Sequence, residues 1–161
     1  MLTKQQENRI IRGGIITFWL VFWLLNVVDK TIGGKTILWA GKDRLPKFIE
    51  YFASIGINNP TVSSVSLIII SFLEALAFLF MILAFFQFIA GNKSKTRLMF
   101  FWGIFISLVV FSIFTMGDQV FGERDELLEH AIYWISLIIS WFVFTHSESQ
   151  LLKFEKSKKK K

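Results

Sequence analysis

Glu74 is the one charged residue in "SLIIISFLEALAFLFMILAFF", residues 66–86, where Phe72, Leu73, Ala75 and Leu76 surround it in the chain. A carboxyl in that setting has two uses. It can carry a proton or contact a ligand, or it can serve as a hydrogen-bonded acid that fixes how one helix packs on another. Both readings stand on the sequence. Other reactive groups lie at the ends of apolar blocks: Asn26, Asp29 and Lys30; Asp118 and Gln119; Glu129 and His130. Such residues usually mark the water boundary. The functional alternative is a polar mouth with Glu74 deeper below it. The candidate binding or buried polar set is Glu74, Asn26, Lys30, Asp118 and His130.

Other chemistry is excluded. The chain has no cysteine, which removes disulfides, thiolate metal sites and cysteine redox chemistry. Its two histidines, His130 and His146, stand at opposite ends of one apolar block. That places them roughly 24 Å apart along a helix, too far to clamp one haem. The sequence has no metal-ligand spacing, phosphate loop or Ser-His-Asp set, so no catalytic residue is assigned and no enzymatic reaction is named. No metal and no cofactor is expected; a quinone enters only with the alternative function below.

The elements that must position these groups follow from the distribution of apolar residues. Hydrophobic residues make up 53% of the chain and come in blocks rather than in alternation, the pattern of a membrane protein. Four blocks, at about 10–28, 62–90, 98–117 and 127–145, can each cross roughly 30 Å of hydrocarbon as a helix. The expected fold class is an all-α membrane protein, a four-transmembrane-helix bundle over residues 1–146. A basic cytoplasmic tail, 147–161, follows. Its end, "KSKKKK", reads as disordered; its lysines attract anionic lipids at roughly 1 kcal/mol each or simply set topology. The first block lacks a small-x-small cleavage site and ends in "NVVDK", so it reads as a span rather than a signal peptide.

The connection after the first block begins irregularly, with Gly33, Gly34 and Gly41 as breakers. Then "LPKFIEYFASIG" sets Leu45, Phe48, Ile49, Phe52 and Ile55 at helical spacing. This predicts a short amphipathic helix, lying on the outer leaflet or capping the bundle. Pro60 opens the second span, where its missing N–H does no harm.

Lys and Arg in the flanks set the orientation. Twelve fall on one side: three in the N-terminal segment, three in the second connection and six in the tail. Six fall on the other side, which also carries the largely acidic "GDQVFGERDELLEH". Both termini are therefore expected in the cytoplasm, with the protein integral to the plasma (inner) membrane. The net charge of +6 does not indicate nucleic acid, because the cations flank apolar blocks or sit in the tail.

Lipid is as apolar as leucine, so close helix contact depends on small residues. Ser64, Ser71, Ala77 and Ala84 share roughly one face of the second span with Glu74, while Gly103 and Ser107, and Ser136 and Ser140, make four-residue spacings in the last two spans. Glu74 is expected to point into the bundle, protonated for want of a nearby cation. Asn26, roughly 10 Å outward from the centre of the first span, is its first candidate partner; Lys30, roughly 16 Å outward, is the second. Trp19, Trp23, Trp102, Trp134 and Trp141 are expected to be lipid-facing or interfacial anchors.

The order of features resembles the DoxX-like family of small four-span membrane proteins. The matching residues are Arg9 or Arg12 entering the first span, Gly14 within it and Lys30 at its exit, then "FASIGINNP" before the second span and Glu74 inside it. The chain has "EALAF" where that family commonly has a glycine-rich run after the glutamate. The resemblance implies a four-helix bundle and an accessory role, sometimes linked to quinone or thiol redox systems and sometimes to assembly of partner proteins. Any thiol chemistry would belong to a partner.

The first functional expectation is a non-catalytic integral membrane accessory subunit of a larger envelope or redox-linked complex. Its partners would be membrane lipids and other membrane protein subunits. The alternatives are a quinone-interacting membrane redox component, with Glu74 and aromatic residues near the headgroup, and a small transporter or proton-conducting protein using Glu74.

Overall fold

The structure is a computed structural model that describes residues 2–32 and 43–158, with side chains through Ser149. Gly33, Gly34 and Gly41 of the expected irregular loop lie outside the described residues. The fold is all-helical over these residues. In order come α1 (Lys4–Thr31), α2 (Leu45–Ser54), α3 (Pro60–Ile89), α4 (Lys93–Phe121) and α5 (Arg124–Lys158).

Local chemistry sets the helix starts. Thr3 caps α1 in a capping box: the Gln6 amide donates to Thr3 Oγ1 at 3.3 Å, and the Thr3 amide donates to Gln6 Oε1 at 2.9 Å. Asn59 caps α3 by accepting from the Thr61 amide, with Pro60 at the first helical position as expected. Asn92 caps α4 in the same way, accepting from the Lys95 amide. The turn between α3 and α4 passes through Gly91 at φ 74°, and α4 ends at Gly122 at φ 81°, a left-handed conformation that favours glycine.

α1, α3, α4 and α5 are long and apolar enough to span a membrane. They form a ring in which α1 touches α3 and α5, and α4 touches the same two. The outside of this ring is apolar: Phe18, Ile68, Phe72, Phe86, Phe105, Ile139 and Phe142 are all exposed. An outer surface of that kind suits lipid. The helices outrun the apolar blocks, because charged and polar residues at their ends continue the helical backbone into the headgroup and water layers. α5 in particular passes the expected end near residue 145 and continues to Lys158, bringing Ser147 and Glu148 to buried positions. Residues 156–158, expected to be disordered, are therefore helical; 159–161 lie outside the described residues.

The inward face of α3 reads Ser63, Ile70, Glu74, Ala77, Met81 and Ala84, spaced by threes, fours and a seven. Ala77, Ala84 and Glu74 belong to this face as expected. Ser64 and Ser71 instead turn their hydroxyls to their own helix, donating to the carbonyls of Pro60 and Leu67. Gly103 on α4 is where the α3 and α4 backbones come close. A Cβ there would lie 2.8 Å from Met81 Cε.

Two tryptophans depart from the expected anchoring role. Trp19 and Trp23 are core residues, each 1% exposed. Trp23 donates across the ring to Ser107 Oγ on α4 at 2.8 Å, and Trp19 donates to Ser140 Oγ on α5 at 3.0 Å. Buried indoles need an acceptor for their N–H, and the small serines expected to mark packing faces supply it. Trp102 and Trp134 remain exposed. With Ile16, Ala77, Met81 and Ile104, the two buried tryptophans form a packed middle layer between the two polar ends of the bundle.

Candidate functional site

One end of the bundle, where α1 and α4 finish and α3 and α5 start, opens into a cavity of about 370 Å³. All four long helices and α2 line it. An adjoining compartment of about 350 Å³ shares Asn26, Arg44, Glu74, Phe114, Glu126 and His130 with it and is walled by Trp23, Phe111 and Tyr133. These volumes fall in the range of small-molecule sites.

Glu74 forms the floor of the cavity, 2% exposed on the inward face of α3. Its partner is Lys30, whose Nζ donates to Glu74 Oε2. The order of candidate partners is thereby corrected. Asn26 lines the cavity, but its Nδ2 donates to the Phe22 carbonyl one turn back in α1. Because α1 continues to Thr31, Lys30 sits in its last turn, and its flexible stem reaches down to the acid. The premise of a carboxyl without a cation fails as well, since the Lys30 ammonium is in direct contact with Glu74.

Asp118, near the end of α4, meets His130, on the second turn of α5. Their Oδ2 and Nδ1 lie 2.6 Å apart. The His130 ring stacks on Phe114 with centroids 4.7 Å apart, and Lys30 Nζ stands 5.9 Å from the centroid of the same ring. An ammonium and an imidazole thus both pack against one aromatic ring. Asp29, 7% exposed, holds Arg44 through a 2.7 Å contact from Arg44 Nη2 to Asp29 Oδ2.

Helix α2 lies across the open end of the cavity. Tyr51 stacks on Phe121 with centroids 5.1 Å apart, and Phe52 meets the same ring edge-on. Tyr51 Oη donates to Glu126 Oε2 at 3.0 Å, and Lys47 Nζ donates to Glu126 Oε1. The hydrogen bond to Glu126 raises the Lys47 pKa above its ordinary value, so Lys47 stays a cation; burial raises that of the Tyr51 phenol, which stays neutral.

Every residue of the sequence-derived set lines this cavity: Glu74, Asn26, Lys30, Asp118 and His130. Gln119 and Glu129 stand aside from its polar core. Gln119 accepts from Arg124, and Glu129 borders only the adjoining compartment. Sequence reasoning missed Arg44, Tyr51 and Glu126. Arg44 stood in the irregular first connection, Tyr51 in the short helix that follows it and Glu126 in the acidic third connection, with nothing else to mark them. It also missed Glu148, an acid on α5 at the opposite end.

The arrangement can bind an amphipathic molecule. Cationic and imidazole donors meet the polar head, carboxylates stand behind them, and aromatic rings cover its faces. Among the described residues no group of three His, Cys, Asp or Glu side chains has the geometry to hold a metal ion. No protein-family model, curated protein or solved structure matches the chain.

Proposed function

We propose that the protein is a quinone-binding integral membrane subunit, non-catalytic by itself, that serves a larger redox-linked assembly. The observation that carries this reading is the placement of Lys30 and His130 against the Phe114 ring in a cavity walled by aromatic rings. A quinone ring presents two carbonyl acceptors and a flat π face, which suit two donors and an aromatic wall. Its apolar tail would run out between helices whose outer faces are already apolar. A bound quinone supplies two-electron acceptor chemistry; this chain would bind and orient the ring through Lys30, His130 and the aromatic wall. Helix α2 is read as an amphipathic lid at the outer leaflet. The resemblance to the DoxX-like family, with its accessory role and occasional quinone link, agrees with this reading.

The test is gentle purification from native membranes followed by solvent extraction. A quinone in near-equal molar amount supports the proposal, as does its loss from Lys30→Met or His130→Ala protein that still folds. Preparations that hold a stable protein partner but no quinone overturn the ligand and leave only a structural accessory role.

Plasma membrane location with both termini cytoplasmic belongs to the same proposal and rests on the distribution of Lys and Arg. The native chain lacks cysteine, so single cysteines report cleanly. One replacing Asn58 reacts with an impermeant thiol reagent from outside intact cells, and one replacing Ser94 does not. The reverse pattern contradicts the orientation.

A further inference from the structure

The inner end of the bundle holds a second charged cluster that the proposed quinone site does not use. Arg12 on α1 is 3% exposed. Its Nη2 lies 3.6 Å from Glu148 Oε1, and Arg97 Nη1 lies 3.5 Å from Glu148 Oε2. These are ion pairs at the edge of contact rather than well-formed hydrogen bonds. Arg12 Nε and Nη2 have no hydrogen-bond partner among the described residues. Phe144 covers one face of the guanidinium, 4.3 Å from its carbon to the ring centroid, but leaves its in-plane donors unserved. Among the described residues two arginines share one carboxylate here, which leaves a net positive charge among them. A buried guanidinium with unsatisfied donors is costly unless something completes it.

Beside Arg12 lies a cavity of about 170 Å³, also lined by Arg9, Gly91, Lys93 and Thr96. None of the described residues that line it is an acid. The Thr96 hydroxyl is committed, donating to the Asn92 carbonyl at 2.7 Å, so the donors left to an occupant include the two arginines and the Gln5 amide. The space is far more than the roughly 10–15 Å³ a bridging water needs. Two arginines at a void of this size, one presenting a planar guanidinium at its base, match an anionic group that carries several oxygens.

We propose that this inner cavity is a binding site for a phosphate-class anion, held by Arg12 at its base and by Arg9 at its rim. The phosphate can come from a phospholipid headgroup or from solution, and the experiment separates the two.

The protein is placed in nanodiscs of pure phosphatidylcholine and titrated with inorganic phosphate against chloride of equal ionic strength. A second set of nanodiscs carries phosphatidylglycerol at constant buffer. The thermal midpoint is read in each, since a ligand that binds only the folded state raises it. A rise with inorganic phosphate assigns a soluble anion. A rise with phosphatidylglycerol alone assigns a lipid headgroup, and a rise with both assigns a site open to either. Arg9→Gln lowers the affinity about tenfold, the worth of one charge-assisted contact. Lys4→Gln removes the same charge outside the cavity and changes affinity less than about threefold. Arg12→Lys removes the planar fork and weakens binding further; if it does not fold, Arg9→Gln decides. No rise under either condition overturns the site, and so does an equal loss in Arg9→Gln and Lys4→Gln, which would mean diffuse surface charge.

Discussion

At the Glu74 end, outer in the proposed orientation, each buried or half-buried acid facing the cavity meets a basic side chain: Glu74 with Lys30, Asp29 with Arg44, Asp118 with His130, Glu126 with Lys47. At the other end, inner in that orientation, one acid among the described residues, Glu148, faces two arginines at 3.6 and 3.5 Å, and Arg12 keeps donors without hydrogen bonds among those residues. Between the ends lies a packed layer in which the indole donors of Trp19 and Trp23 end on serine hydroxyls. The difference teaches how the two ends can select. Matched charges leave the outer cavity nearly neutral, so shape, aromatic faces and a few oriented donors must choose its ligand. Surplus positive charge makes the inner cavity choose by the sign of the ligand first.

Substitutions sharpen this contrast, and the largest effect is expected at the floor of the outer cavity. Lys30→Met leaves Glu74 buried without its cation and should cost on the order of 3 kcal/mol in detergent unfolding, the usual penalty for breaking a buried pair. Glu74→Gln should cost less, because the amide keeps a hydrogen bond and the Lys30 ammonium left behind, 18% exposed on a flexible stem, can turn to water. If Lys30→Met is as stable as wild type, the pair does not organise the outer end.

Changing Ser136 and Ser140 together to Leu removes the acceptor of the Trp19 indole and adds bulk at the α1–α5 contact. A loss of about 2 kcal/mol is expected from overpacking and an unserved donor. Unchanged stability would mean that α5 faces lipid there. Gly103→Ala presses a Cβ toward the flexible end of Met81 and should cost about 1 kcal/mol, as Met81 can yield.

The smallest effect is expected at the lid. Lys47 is well exposed, and its pair with Glu126 is worth at most about 1 kcal/mol. The Lys47 pKa is raised in the folded protein, so the pair's contribution is complete below the ordinary lysine value of 10.5 and fades only as pH climbs beyond it. Unfolding midpoints of wild type and Lys47→Gln should therefore differ by the same small amount across neutral pH. A difference that vanishes at mildly alkaline pH would contradict that sign.

Much of this was legible in the sequence. The long helices follow from block hydrophobicity, Pro60 marks the start of α3 by its missing N–H, and Glu74 points inward because a charge at that depth has no place in lipid. The partner of Glu74 was not legible, because depth along a helix says nothing of how far a lysine stem bends back. Trp19 and Trp23 resemble anchors in composition; only the three-dimensional position of Ser140 and Ser107 makes them core residues. Arg44, Tyr51 and Glu126 reach the cavity through the folding of α2 over the bundle, a contact distant in sequence. The inner cluster depends on α5 continuing past the apolar block, which composition alone does not require.

Titration of a short-chain benzoquinone into protein held in phosphatidylcholine nanodiscs, read by tryptophan fluorescence, tests the outer cavity most directly. Trp23 borders the adjoining compartment and should report an occupant nearby. The account predicts saturable quenching that weakens about tenfold in His130→Ala, the loss of one ring donor and one stacking partner. Quenching that rises linearly with quinone and is identical in wild type and His130→Ala would reflect partition into lipid and would contradict the assignment.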